Sequence, residues 1–254
     1  MLHTIPGPLV RATVLKRPSA HIKSPYVADI RLDTGELVLC HTPGLGCCGL
    51  VEAGRIIYVN KSNEGSKTAY TTQLAECTDE QGIHYVGIHP LVAQVAARGL
   101  LSRISAEAKW SQEVTINEHT RIDYVGVLPN GKKIYVEVKT AMVSTECTTP
   151  RAYRRSVFPE GYRKKITDTV SPRAVKHAET LTEFAKHEDT EQSVLLFIIP
   201  RDDCLAGLDI NQRDIQYKQA VEKAWRGGVK IRAFALSYNL DGSIHLANET
   251  CTYV

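Results

Sequence analysis

Residues 121–139 read Arg-Ile-Asp-Tyr-Val-Gly-Val-Leu-Pro-Asn-Gly-Lys-Lys-Ile-Tyr-Val-Glu-Val-Lys, two β-type runs on either side of Pro129-Asn130-Gly131. Pro and Asn suit the central positions of a type I turn and Gly the left-handed position after it, which is a three-residue hairpin loop closed by a bulge. That loop fixes the register: Leu128 falls opposite Lys132, Asp123 opposite Glu137, and Arg121 opposite Lys139. Directly opposed residues share a face, and Glu137 and Lys139 share one by the period of two. A two-residue loop would instead send Asp123 to the other side. In this register Ile134, Val136 and Val138 turn into the core and seat the polar residues on a rigid strand.

Two opposed carboxylates repel unless one takes a proton or a cation lies between them. Mg²⁺ or Mn²⁺ suits such oxygen donors. Lys139 would then stand beside the ion, placed to hold an attacking water or to neutralise charge developing on a phosphate. A solvated cross-strand cluster of Asp, Glu and Lys fits the same pattern.

Outward from the hairpin, Pro90–Leu101 has apolar residues at helical spacing, and Ser171-Pro172 is an N-cap followed by Pro at the first helical position. A strand over 194–199, a helix over 211–225 and a strand over 230–236 complete an α/β half. Ahead of it, short β-type runs at 9–15, 26–32, 36–40, 55–60 and 84–86, broken by Gly and Pro, predict a small OB-type barrel. The expected organisation is a barrel over 1–87 and a mixed-sheet α/β domain over 88–254. The polar segment 60–67 reads as a loop.

The 254 residues carry a net charge of only +3, too little by itself to imply a polyanionic partner. No run approaches the roughly 18 apolar residues of a membrane span. The opening residues lack the order of a secretory signal, and seven cysteines without a C-x-x-C spacing suit a reducing compartment, so the expected location is cytoplasmic. His41 with Cys40, Cys47 and Cys48 reads as incidental thiols rather than a metal cluster.

Several stretches together resemble the sugar fermentation stimulation protein A family. They are Arg121-Ile122-Asp123-Tyr124, Tyr135-Val136-Glu137-Val138-Lys139, Phe158-Pro159, Arg173 with Lys176-His177, Leu195-Leu196-Phe197 leading to Arg201 and Asp203, then Tyr217 and Gly228-Val229. The resemblance implies an OB-type barrel joined to a PD-(D/E)xK nuclease-like domain. It also implies Asp123 and Glu137 as metal ligands, Lys139 as the catalytic lysine, DNA as partner, and a link to regulation of sugar use. Where such folds often place an acid on the helix opening the domain, this chain has Ala93 and Gln94, which leaves Glu113 as a candidate additional acid. The family's barrel turn is replaced by 41–47.

Residues 151–165 form an insertion rich in cations, with Arg151, Arg154, Arg155, Arg163, Lys164 and Lys165 set among Tyr153, Phe158 and Tyr162. Cations with interleaved aromatics suit a single-strand-tolerant surface; a solvated loop fits equally. Arg173, Lys176 and His177 share a helix surface and are expected to meet phosphate. Arg201 and Asp203 read as an ion pair tying down a loop. The functions these readings allow are a Mg²⁺- or Mn²⁺-dependent DNA nuclease, a non-catalytic DNA-binding regulator on the same scaffold, or an enzyme acting on single-stranded DNA or RNA.

Overall fold

The computed structural model describes residues 1–44, 47–118, 120–145, 148–161, 165 and 167–253. Strands β1 (His3–Thr4), β2 (Val10–Lys16), β3 (Val27–Leu32), β4 (Leu37–His41), β5 (Ile56–Lys61), β6 (Tyr70–Asp79) and β7 (Gly82–Gly87) precede helix α1 (Pro90–Arg98). Next come β8 (Lys109–Asn117), β9 (Thr120–Val127), β10 (Lys133–Thr140), β11 (Ser156–Phe158) and α2 (Pro172–Phe184). Then follow β12 (Thr190–Ile199), β13 (Leu208–Ile210), α3 (Ile215–Arg226), β14 (Lys230–Tyr238), β15 (Ser243–Thr250) and β16 (Thr252–Tyr253). The result is a mixed α/β fold in which one sheet curls on itself, a larger one lies between helices, and β11, β13 and β16 form a small third sheet.

The first sheet runs β4-β3-β2-β5-β6-β7, and β4 also pairs parallel with β6 through Cys40–Tyr70 and His41–Thr71. Its strands therefore come round to meet, enclosing Ala12, Val14, Ile30, Cys40, Ile57 and Val59. Burial pushes the Cys40 thiol up to about 12, so this sulfur is core filling. The strand that the pattern misses is β6, whose Tyr-Thr-Thr-Gln-Leu-Ala-Glu-Cys-Thr-Asp has few large apolar residues to alternate.

The second sheet runs β1-β15-β14-β12-β10-β9-β8, with β10, β12 and β14 parallel to their neighbours in that series. Both faces of its centre are covered, so β12 is a continuous buried run from Ser193 to Ile199, as expected of parallel strands between layers. On one face, Val136, Val138, Leu196 and Phe234 pack with Ala93, Ala96 and Ala97 of α1. On the other, Tyr135, Leu195 and Phe197 pack with Ala178 and Leu181 of α2 and Tyr217 of α3. The α2 start is as the sequence predicts: the Ser171 hydroxyl accepts from Ala174 N at 3.2 Å, with Pro172 in the first turn.

One segment departs from the expected organisation. The residues ahead of β2 leave the curled sheet and join the other one: His3 pairs with Ile244, Leu2 N donates to Ile244 O at 2.8 Å, and Ile5, 2% exposed, enters the core beneath it. The ladder hydrogen bonds and the apolar burial of Ile5 outweigh continuity along the chain. No helix among the described residues is long and apolar enough to cross a membrane.

Candidate active site

The β9–β10 hairpin has the register its loop dictates. Leu128 N donates to Lys132 O at 2.9 Å, Gly131 takes φ +83°, and the ladder pairs Val127 with Lys133 through to Tyr124 with Val136. One step further the count sets Asp123 against Glu137. Here the Asp123 side chain enters the ladder itself, its Oδ2 accepting from Val138 N at 2.7 Å. Ile134, Val136 and Val138 are buried toward α1, and Glu137 points the other way, to α2.

Glu137 is 2% exposed, and its Oε1 accepts from Lys139 Nζ at 2.8 Å and touches His177 Nδ1. Lys139 Nζ lies 2.9 Å from the same ring nitrogen, and the other, Nε2, is 3.2 Å from Arg173 Nε. Burial pushes the Glu137 carboxyl up, but contact with His177 and the Lys139 ammonium outweigh it and hold it below its ordinary value. For Asp123 the balance is opposite. Burial first, and the Glu137 charge second, push its carboxyl up to about 6 against the Val138 amide and Lys139. Two carboxylates in one low-dielectric place force one upward.

Glu113, the candidate additional acid, lies beside this pair. The β8–β9 ladder pairs Gln112 with Tyr124 and Val114 with Ile122, which puts Glu113 opposite Asp123, so Glu113, Asp123 and Glu137 form a row across three strands. From α1, Gln94 Nε2 donates to Glu113 Oε1 at 3.3 Å and to Asp123 Oδ1 at 3.1 Å. Tyr124 Oη donates to the Gln94 carbonyl at 3.0 Å and fixes that turn of helix. Gln94 thus belongs to the site although it is no acid. Its position on the helix that opens the α/β half was the only sign of this in the sequence.

Beside the row, between the β8–β9 hairpin and α2, is a groove of about 480 Å³ whose lining includes Arg121, Arg173, Lys176 and His177, with Glu118 as its one acidic residue. Arg173, Lys176 and His177 therefore lie together at one surface, as expected, and Arg121 joins them.

The cationic insertion is otherwise. Arg154 is fully buried, its guanidinium shared between Asp79 and Asp203, and Arg151 makes two 2.8 Å contacts with Asp79. Neither faces outward, because both are neutralised by carboxylates distant in sequence. Arg155 lies 4.0 Å over the Tyr253 ring and 3.8 Å from Asp209. Phe158 packs edge-on against Phe197 and Tyr217 in the core. Tyr153 is exposed, as is Lys165; Arg163, Lys164 and Tyr162 lie outside the described residues. An aromatic and cationic platform for single strands is not what 151–158 builds.

What it builds is a clamp between the curled sheet and the end of β12 in the larger one. Asp79 and His84 come from β6 and β7; Arg201, as expected, pairs with Asp203, and His84 Nε2 is 3.0 Å from Asp203 Oδ2. The ligand atoms of Asp79, His84 and Asp203 lie within 4.8 Å of one another, close enough for a metal. Arg151, Arg154 and Arg201 already take those oxygens, so the counter-charge a metal would bring is supplied by guanidinium groups.

The family described as the sugar fermentation stimulation protein RE domain matches residues 88–242. A sugar fermentation stimulation protein homolog of Synechococcus elongatus is 32% identical over 237 residues, covering 91% of this chain and 89% of its own. One from Nitrosococcus oceani is 28% identical over 221 residues, covering 85% and 88%. The structure of Pyrococcus furiosus SfsA in complex with Ca²⁺ superposes with a TM-score of 0.77 at 20% identity, over 100% of this chain and 99% of that one. With the domain matched over more than half its length and a relative of that identity aligned across nearly all of it, this chain belongs to the sugar fermentation stimulation protein family.

Proposed function

We propose that this chain is a divalent-cation-dependent nuclease acting on DNA, with Asp123 and Glu137 holding the ion. The observation that carries the reading is the second Glu137 oxygen. Oε2 is buried with no hydrogen-bond partner among the described residues, and leaving such an acceptor bare in the interior costs free energy. Asp123, pushed up by burial and by the neighbouring charge, adds a second donor that a hard cation would satisfy. An ion bound there supplies charge stabilisation at a phosphoryl oxygen and a more acidic water.

The chain's own groups account for the rest. Lys139, held by Glu137 and His177, presents an ammonium at the edge of the site, where it orients water and offsets charge developing on phosphate. Arg121, Arg173 and Lys176 line the groove through which the backbone of the nucleic acid would run. Other observations agree with this assignment. The Pyrococcus furiosus relative is a Ca²⁺ complex, the E-x-K strand sits in a mixed sheet flanked by helices, and the pairing β2-β3-β4-β6-β5 with β4 and β6 parallel supports an OB-type reading of the curled sheet.

A second reading, a DNA-binding regulator that does not cut, is favoured by one feature, the amide of Gln94 where an acid would add a ligand. Labelled duplex DNA, single-stranded DNA and RNA incubated with Mg²⁺, Mn²⁺ or EDTA separate the two. Cutting of duplex DNA with either ion and none with EDTA is expected. Binding should weaken by about 0.9 log unit per log unit of salt for each phosphate neutralised. No cutting, with salt-sensitive binding retained, would mean the regulator; salt-independent binding or none would remove nucleic acid as the partner.

A further inference from the structure

Resting on the cation reading above, Glu113 stands on the strand next to Asp123 with both oxygens engaged. Oε1 takes the Gln94 amide, and Oε2 accepts from Arg121 Nε at 2.7 Å. Its backbone holds φ +55°, a region that non-glycine residues seldom occupy and that gathers at functional positions. Arg121, with its side chain 61% exposed, belongs at the same time to the groove with Arg173 and Lys176. A solvent-facing pair of this kind is weak, whereas a guanidinium meets phosphate through two parallel hydrogen bonds. The unpartnered Glu137 Oε2 supplies an independent sign that a ligand belongs at this row.

We propose that Glu113 is a cation ligand held in reserve by Arg121. A phosphate entering the groove draws the guanidinium away, and the released carboxylate, steered by the Gln94 amide it shares with Asp123, closes on the cation. Phosphate and cation then bind cooperatively, and by linkage each tightens the other equally. Gln94 and Arg121 are positioning residues in this scheme. The amide at 94 lets the carboxylate row collapse onto one ion without adding a fourth negative charge.

The test is Mg²⁺ binding by isothermal titration calorimetry to the full chain, with and without a phosphorothioate-linked oligothymidylate that resists cutting. The native protein should bind Mg²⁺ about 10-fold more tightly with the oligonucleotide, within the usual range of coupling between sites. Glu113→Gln should still bind Mg²⁺ but lose the gain. Arg121→Gln should bind it more tightly in the absence of oligonucleotide and gain little on its addition. An equal gain in Glu113→Gln and native protein, or unchanged Mg²⁺ affinity in Arg121→Gln, overturns the proposal and leaves the cation reading intact. Absence of Mg²⁺ binding to the native protein, or native-like binding by Glu137→Gln, sinks both.

Discussion

Glu137→Gln should lower metal-dependent cutting of DNA by at least about 10²–10³-fold, the usual scale for removing one charged group that stabilises a reacting centre. The substitution keeps the volume of the side chain and an oxygen beside His177, but removes the charge that Lys139 and a cation share. Lys139→Met should lose activity on the same scale while the protein still binds DNA, since Arg121, Arg173 and Lys176 remain in the groove. The stability of an Asp123 variant should move the other way. Asp123 is pushed up to about 6 by burial and by the Glu137 charge, so the row is electrostatically uncomfortable when no ion relieves it. Asp123→Asn should therefore raise the melting temperature in EDTA and abolish any rise brought by Mg²⁺, a trade of stability for function. If Glu137→Gln retains native cutting, the catalytic centre lies elsewhere.

Asp203→Ala is expected to be strongly destabilising, costing about 3–5 kcal/mol by leaving buried cations without their counter-charge. Asp203 is fully buried and receives Arg154, Arg201 and His84. Urea unfolding of the variant against native protein reads the loss directly; a change below about 1 kcal/mol, the worth of an exposed pair, would show the cluster to be dispensable. The same cluster sets an acid limit. Its surroundings, the buried arginines foremost among the favourable ones, hold the Asp203 carboxyl well below the carboxylate range; at Asp79 the hydrogen bonds from Arg151 lead. A depressed folded-state value means the stabilisation is complete above the unfolded value, near 3.8, and is lost as pH falls further. The melting temperature should fall below about pH 4 more steeply in native protein than in Asp203→Asn.

How much of this could be read from the sequence depended on the distance between partners. Pro129-Asn130-Gly131 determines the pairing of residues only a few positions away, so the meeting of Asp123 and Glu137 was available from turn chemistry alone. Ser171-Pro172 announced α2 in the same way, and with it the side-by-side placement of Arg173 and His177. The insertion is deceptive for the opposite reason. Arg151 and Arg154 look like a surface run because Asp79 lies 72 and 75 positions away and Asp203 lies 49 positions beyond Arg154. Local charge counting cannot see a partner brought in by the fold. Gln94 illustrates a third case: its departure from an acid was evident, but its bridge between Glu113 and Asp123 required α1 to be set against β8 and β9.

The strand pairing of β1 with β15 has a bearing on how the chain can be assembled. His3 leaves the ribosome long before Ile244 has been made, so the larger sheet lacks its β15–β1 border until β15 emerges, while the pairings among β2 to β7 are all available early. Completion of that border is a contact of very long sequence separation, the slow kind. A fragment starting at residue 88 would never make it, and would carry β15 with an open flank on which other chains can pair.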